Sequence, residues 1–200
     1  MKTIAEDIRT WPWFSTPHGY NFNGLLIAHP QGNICIDPVE ASASDFEEIV
    51  RARPTRVLLT NRNHVRAANR VREHTGARVA IHPADAPYAH NQAAVIDDEL
   101  SAGERVGPLV VVATPGKSPG EVALHWPDRK TLIVGDAVIG NPPGRCSLLR
   151  EQVMDDPARL RESVRNLLAI DFDTLLVGDG VSILSGAKER LRELVAAFVG

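Results

Sequence analysis

Residues 56–66, which read RVLLTNRNHVR, join an apolar run to a strongly polar loop. The run Arg56–Thr60 predicts a buried β-strand, because a short apolar segment followed by turn residues is typical of one. Helical spacing precedes it over Ala41–Arg51 and follows it over His64–His74, and Ala77–Ile81 is again an apolar, strand-like run. Strands and helices that alternate with short links are typical of a parallel sheet covered by helices. This segment therefore predicts an α/β fold.

Strands without intervening helices flank this segment on both sides. The runs Asn23–His29 and Asn33–Ile36, joined by a Pro-Gln-Gly turn, predict a hairpin before it. Asp85–Gly103 has few apolar periods, and we expect it to be irregular. The rest of the chain predicts three antiparallel strands, and then a helix, a strand and a helix, over Leu109–Ala113, Glu121–Trp126, Lys130–Val134, Asp156–Ile170, Thr174–Val177 and Gly186–Phe198.

The composition is that of an ordinary globular protein. The 200 residues contain 22 Lys and Arg against 25 Asp and Glu, a net charge of −3, with 44% hydrophobic and 24% charged residues. These values exclude intrinsic disorder and argue against a nucleic-acid partner, which would require a basic surface. The longest aliphatic run, Leu109–Ala113, is far shorter than the roughly 18 apolar residues of a membrane span. We expect a single domain over residues 1–200 and no membrane partner.

Cysteine usage and the first ten residues bear on the cellular compartment. Cys35 and Cys146 are the two cysteines of the chain and do not form a CxxC pair, which favours a reducing compartment. The N-terminal residues MKTIAEDIRT carry charges where a signal peptide would need an apolar region. We therefore expect a cytoplasmic protein.

Four polar or glycine-rich turns follow predicted strands, at the strand ends where ligands gather in open α/β sheets. They are Leu59–Arg66, Thr114–Gly120, Val134–Asp136 and Val177–Gly180. The chain resembles the metallo-β-lactamase superfamily over nearly its whole length, in the order and spacing of five fragments. They are Asn33–Pro38 (NICIDP), Leu58–Thr60 (LLT), Thr114–Gly120 (TPGKSPG), Gly135-Asp136 and Gly178-Asp179-Gly180. The resemblance implies a four-layer αββα sandwich of the α/β (α+β) class. It also implies a metal site at one edge of the two sheets, in a superfamily known mostly for zinc- or iron-dependent hydrolases.

The chain departs from the metal motif of that superfamily, which is Thr-His-x-His-x-Asp-His, then Pro-Gly-His, Gly-Asp and Gly-His-Gly. Only Asp136 matches in the direct register, and the other positions hold Asn61, Asn63, Val65, Arg66, Lys117 and Asp179. Amide oxygens are poor zinc ligands beside imidazole, and Arg and Lys offer no lone pair. We therefore expect no dinuclear metal site. Our hypothesis is that the cations Arg66 and Lys117 replace the metals and face Asp136 and Asp179.

Each candidate residue also has an ordinary structural interpretation. Asn61 and Asn63 suit a strand-to-helix turn, and His64 suits a solvated helix N-terminus. Asp136 and Asp179 could cap following segments, and Lys117 could be an exposed loop cation. The aromatic segment Trp11–Phe22 is typical of a core or of the wall of a ligand cleft, and with the Asp85–Gly103 loop it would select any substrate.

Two functions remain open at this point. The first is a non-hydrolytic protein, binding or regulatory, that takes a small anionic molecule and needs no cofactor, with a homodimer left open. Its candidate ligand-binding residues are Asn61, Arg62, Asn63, His64, Arg66, Lys117, Ser118, Asp136 and Asp179. The second is a hydrolase of an ester, thioester or lactone, for which the catalytic candidates are Lys117, His64 and Asp136. It would use one zinc or iron held by His64, Asp136 and Asp179, or Lys117 as a base.

Overall fold

The computed structural model describes residues 1–198 and contains two β-sheets and five α-helices in a mixed α/β arrangement. The chain divides into two compact units, Met1–Leu100 and Ser101–Gly200. Within residues 1–198, no helix has both the length and the apolar character that crossing a membrane requires.

The first unit is built on a seven-stranded sheet in the order β1-β2-β3-β4-β5-β6-β7. Strands β1 to β4 pair antiparallel, and β4 to β7 pair parallel. The strands are β1 (Lys2–Ala5), β2 (Ile8–Ser15), β3 (Tyr20–Ile27), β4 (Ile34–Ile36), β5 (Arg56–Leu58), β6 (Arg78–Ile81) and β7 (Asp98–Glu99), and the helices are α1 (Ala43–Ala52), α2 (Ala68–Thr75) and α3 (Ala86–Asn91). The predicted hairpin and the predicted alternation of strands and helices are confirmed.

Trp11 joins the antiparallel and parallel parts of this sheet. Its side chain is fully buried, and its indole N–H donates to the carbonyl of Val39 at 3.1 Å. Trp11 pairs with Gly24 across β2 and β3, and a Cβ at Gly24 would lie 2.3 Å from the indole ring. A glycine is therefore required opposite the tryptophan, and together they hold β3 beside the segment that follows β4.

The second unit is built on a five-stranded sheet in the order β12-β11-β10-β9-β8. Strands β8 to β11 pair antiparallel, whereas β11 and β12 pair parallel. The strands are β8 (Arg105–Val106), β9 (Leu109–Ala113), β10 (Val122–Trp126), β11 (Thr131–Val134) and β12 (Thr174–Val177), and the helices are α4 (Pro157–Leu167) and α5 (Ala187–Ala196). Asp156 caps α4 by accepting a hydrogen bond from the Arg159 amide at 2.9 Å.

Two local predictions were wrong, and one long strand was missed. Strand β2 was not predicted, because Arg9, Thr10 and Pro12 interrupt its apolar pattern. Helix α2 begins at Ala68 and not at His64, because turns occupy residues 61–67. The segment predicted to be irregular contains α3 and β7, which are too short for a periodicity signal.

Candidate functional site

The loop after β5 meets the end of the neighbouring strand β4. These strands are parallel, with Ile36 opposite Leu58, so Asp37 and Thr60 emerge at the same edge of the sheet. The amide of Asp37 donates to the carbonyl of Leu58 at 3.0 Å, which extends the pairing by one residue. The first unit therefore brings Asp37 to the loop that holds five of the candidate residues.

Asp37 is the centre of a buried hydrogen-bond network in this loop. One carboxylate oxygen accepts the Thr60 amide at 2.8 Å, and the other accepts the Thr60 hydroxyl at 2.6 Å. Nδ1 of His64 lies 2.8 Å from that second oxygen, and all three side chains are buried. Because a carboxylate only accepts hydrogen bonds, Nδ1 of His64 carries the proton that faces Asp37. The network sets the orientation and the tautomer of His64.

The backbone at Asp37 is strained. Its φ is 45°, in the left-handed region that residues other than glycine rarely adopt. Such conformations persist where the surrounding structure over-determines them, and they cluster at functional sites. The role of Asp37 was missed in the sequence because its contact with His64 depends on strand pairing. The signal that could have found it is an aspartate directly after a short apolar run and followed by proline.

Asn61 shapes the loop. Its side-chain oxygen accepts the amide of Asn63 at 2.8 Å, and its carbonyl accepts the amide of His64 at 3.1 Å. This is the turn geometry expected for asparagine after a strand. His64 does not begin a solvated helix, because it is fully buried before the start of α2. The loop is therefore folded around Asn61 and the buried His64.

The two arginines of the loop each lie against an aromatic ring. The Arg62 guanidinium lies 4.7 Å from the centroid of Tyr88 in α3, and the Arg62 amide donates to Asp85 at 2.9 Å. The Arg66 guanidinium lies 4.1 Å from the centroid of Phe22 in β3. Guanidinium groups stacked in this way are held in a defined orientation.

Phe22 belongs to an aromatic group on the β2–β3 hairpin, here called the hairpin cluster, formed by Trp13, His18, Tyr20 and Phe22. The ring centroids of Trp13, His18 and Tyr20 lie 5.7, 5.1 and 6.0 Å from that of Phe22. Trp13 is 41% exposed, whereas Phe22 is buried. The hairpin cluster is thus an ordered aromatic surface beside Arg66.

In the second unit, Lys117 and Asp136 form a buried ion pair. The distance between Nζ of Lys117 and Oδ2 of Asp136 is 2.7 Å, and the two side chains are only 7% and 6% exposed. Lys117 is therefore not the exposed loop cation of the ordinary structural interpretation. Burial of two charges is tolerated when each faces the other at this distance.

Helix α4 fixes the backbone that carries Lys117. The carbonyls of Gly116 and Lys117 accept the amides of Asp156 and Asp155 at 2.7 and 3.2 Å. Gly116 has a φ of 139°, and a Cβ there would lie 2.3 Å from the backbone nitrogen of Leu160. The loop can approach α4 this closely only because residue 116 is glycine. The carbonyl of Ser118, which is buried, closes the same turn by accepting the Gly116 amide at 3.1 Å.

Asp136 and Asp179 lie side by side at the ends of β11 and β12. These strands pair in parallel with Val134 opposite Val177, so the two aspartates occupy equivalent positions beyond the strand ends. A carboxylate oxygen of each lies within 4.8 Å of the other, and both residues are buried. Neither aspartate caps a helix of residues 1–198 that follows it, since α4 begins after Asp156 and α5 after Gly186.

Two glycines lock the segments that carry these aspartates. The Gly140 amide donates to the carbonyl of Asp179 at 2.9 Å, and the Val181 amide donates to the carbonyl of Gly140 at 2.8 Å. A Cβ at Gly140 would lie 2.1 Å from the Val181 carbonyl oxygen, and one at Gly180 would lie 2.5 Å from the Gly140 carbonyl oxygen. Two carboxylates and one ammonium are therefore held in fixed positions in the second unit.

A family model described as the metallo-beta-lactamase superfamily matches residues 1–198. The chain belongs to the metallo-β-lactamase superfamily. This metallo-β-lactamase-superfamily chain resembles over 98% of its length the metallo-beta-lactamase from Pontibacter korlensis, with a TM-score of 0.79 at 14% identity and 98% of that chain covered. It also resembles a protein crystallised in a di-iron-bound form, with a TM-score of 0.69 at 24% identity over 90% of this chain and 98% of the other. The resemblance proposed from the sequence and the sandwich fold class are confirmed.

A curated relative of this superfamily member is named for an enzymatic activity. A protein of Cereibacter sphaeroides named hydroxyacylglutathione hydrolase is 32% identical over 130 residues, which cover 62% of this chain and 47% of that protein. The chain thus spans about half the length of the curated relative.

Proposed function

We propose that this protein is a metal-independent member of its superfamily, a pseudoenzyme with a degenerate metal site, that binds a small anionic molecule. The observation that carries the proposal is the buried ion pair between Lys117 and Asp136, at 2.7 Å. Asp136 is the one motif position that keeps the metal-ligating residue of the superfamily. Its carboxylate faces an ammonium group, which has no lone pair to donate to a metal.

The donor set does not fit a dinuclear metal centre. A metal ion bound to Asp136 would have to displace Lys117 or bear the repulsion of its positive charge. The remaining motif positions, which are Asn61, Asn63, Val65, Arg66 and Asp179, supply neither imidazole nor thiolate. We infer that the positive charge once supplied by metal is supplied here by side chains of the chain itself.

The loop after β5 supports an anionic ligand. Its donors are the guanidinium groups of Arg62 and Arg66, each stacked on an aromatic ring, together with the amides of two asparagines. Arginine is the side chain best suited to carboxylate and phosphate recognition, because its planar fork matches two oxygens. We propose that this loop contributes the main anion contacts.

Elemental analysis of protein purified without chelator tests this proposal, followed by thermal unfolding with added zinc, iron and manganese. We expect substoichiometric metal and a midpoint that responds to none of the three ions. One equivalent of metal per chain that is lost in Asp136→Ala would overturn the proposal. Asp171→Ala is the matched control, since Asp171 faces Lys130 at 3.1 Å and both are exposed.

A second candidate function is hydrolysis of an ester, thioester or lactone. The relative named hydroxyacylglutathione hydrolase favours it. In this case one zinc or iron held by His64, Asp136 and Asp179, or Lys117 acting as a base, would activate water. Thioester turnover that requires added metal, or that disappears in Lys117→Met while the fold is retained, would favour this candidate over the first.

We propose that the protein acts in the cytoplasm as a single domain and that neither nucleic acid nor membrane is its partner. The net charge of −3 supports the absence of a nucleic-acid partner, because it provides no general attraction to polyanions. Gel filtration in low and high salt would test for the homodimer that the sequence leaves open.

A further inference from the structure

We propose that Arg66 binds a carboxylate of the ligand, and that the ligand carries this carboxylate on a flat apolar or aromatic group. The stack of Arg66 on Phe22, next to the partly exposed Trp13, is the arrangement that leads to this inference. It rests on the proposed function, because it takes anion binding by the loop after β5 as given and specifies the class of anion.

The stack on Phe22 prepares the guanidinium for a carboxylate. A guanidinium that lies 4.1 Å above a ring uses its face for that contact, while its N–H donors point sideways in its own plane. Two parallel donors on one edge then match the two oxygens of a carboxylate. Because the side chain is already ordered by the ring, little conformational entropy remains to be lost on binding.

The protein also fixes both partners of the stack. Phe22 is buried in β3, opposite Trp13 in the register of the hairpin. On the other side, the amide that follows Arg66, that of Ala67, donates to the carbonyl of Pro38 at 3.0 Å. Arg66 is therefore held at its backbone and at its guanidinium, as a binding residue needs to be.

Trp13 offers a surface for the rest of the ligand. Its ring centroid lies 5.7 Å from that of Phe22 at an interplanar angle of 40°, and the side chain is 41% exposed. Exposed tryptophan costs little entropy to order and gains much apolar contact when a flat group covers it. Because Arg66 and Trp13 both adjoin Phe22, we expect a carboxylate on an aryl ring to engage both side chains and acetate to engage Arg66 alone.

The chain contains a matched control for Arg66. Arg70 also stacks on a phenylalanine, with its guanidinium 3.9 Å from the centroid of Phe46. This guanidinium is exposed at the protein surface and lies 3.5 Å from the carboxylate of Glu40. Arg70→Gln therefore removes the same kind of stacked cation without touching the proposed binding residues.

The experiment titrates benzoate, acetate and benzamide into the protein and follows binding by calorimetry and tryptophan fluorescence. Trp11 and Trp126 are buried, so fluorescence changes report mainly on Trp13. We expect benzoate to bind at least about tenfold more tightly than acetate or benzamide. In Arg66→Gln the affinity for benzoate falls about tenfold or more, and in Arg70→Gln it is unchanged.

Two further variants separate recognition from folding. Arg66→Lys keeps the positive charge but loses the fork and the planar stack, so we expect it to fold and to lose most of the benzoate affinity. Trp13→Leu narrows the difference between benzoate and acetate while acetate binding persists.

Equal affinities for benzoate and acetate, equal effects of Arg66→Gln and Arg70→Gln, or no binding of any probe would overturn this inference. Tight binding of another anion that does not depend on Arg66 would overturn it while leaving the proposed function intact. Stoichiometric metal lost in Asp136→Ala would instead overturn the proposed function.

Discussion

The two units each bury an acid beside a base, and they do so by different means. In the first unit Asp37 accepts hydrogen bonds from the amide and the hydroxyl of Thr60 as well as facing His64 at 2.8 Å. In the second unit Lys117 faces Asp136 at 2.7 Å. A histidine can donate to a carboxylate while neutral, whereas a lysine beside an aspartate places two full charges in the interior. The first arrangement therefore depends on hydrogen bonding and the second on charge.

Replacing Lys117 with methionine should have the largest effect on stability. The substitution keeps the apolar stem but takes the ammonium away from the buried carboxylate of Asp136. Breaking a buried pair by removing one partner costs about 3–5 kcal/mol of unfolding free energy. Urea denaturation of Lys117→Met measures the loss.

Lys130→Met is the control for this prediction, because Lys130 and Asp171 form an exposed pair at 3.1 Å. We expect a change within about 0.5 kcal/mol for Lys130→Met. The double variant Lys117→Met with Asp136→Asn should recover part of the lost unfolding free energy, because it also removes the unpaired negative charge of Asp136. A Lys117→Met protein as stable as the control would contradict the contrast between the two units.

Replacing His64 with glutamine should have a smaller effect. Glutamine can still donate to Asp37, and Thr60 supplies two further donors to the same carboxylate. We expect a loss of about 1–3 kcal/mol, typical of a disturbed buried hydrogen bond. His125→Gln serves as the control, since His125 contacts the carbonyl of Asp171 at the surface. If His64→Gln destabilises more than Lys117→Met, the first network depends on charge after all.

Acid titration of Asp97 should give the smallest change in unfolding free energy. It provides a surface ion pair against which the effects at Lys117 and His64 can be compared. Hydrogen bonds from Arg72, and then from the Val79 amide, lower the pKa of Asp97 from 3.8 to about 2. Because the folded pKa lies below the unfolded one, the carboxylate stabilises the fold above about pH 4, and this contribution is lost as the pH falls towards 2. Solvent screening keeps it below about 2 kcal/mol.

The measurement for Asp97 is the unfolding free energy at a series of acidic pH values. Asp97→Asn should be less stable than the parent protein near neutrality and should converge with it at the acid end. Parallel curves for the two proteins would show that the contacts of Asp97 with Arg72 and Val79 do not contribute through charge.

The parts of the fold that are local in sequence were predictable. The apolar runs of β5, β6 and β12 and the glycine after α2 mark their elements directly. Strand β2 was not predictable in the same way. It is defined by its pairing with β1 and β3 and by the packing of Trp11 against Gly24. Pairing with neighbouring strands can order a strand whose own sequence carries no regular apolar pattern.

The candidate site divides in the same manner. The sequence alone shows that positions 61–66 and 117 depart from the metal motif of the superfamily and that Asp136 matches it. The contact of Asp37 with His64 was not, because it joins residues on two strand ends whose register only the folded sheet defines. The stack of Arg66 on Phe22 likewise depends on how the β2–β3 hairpin lies relative to the loop.

The interlock of Gly140 with Gly180 has a consequence for protein engineering. A Cβ on either glycine would meet the backbone of the opposite segment, at the Val181 carbonyl for Gly140 and at the Gly140 carbonyl for Gly180, and Gly140 is hydrogen-bonded to Asp179 and Val181. If a library diversifies only one of the two segments, most of its sequences will prevent the close backbone approach between the segments. Grafting a new specificity onto this scaffold requires that both segments be exchanged as one cassette, or that both glycines be kept constant.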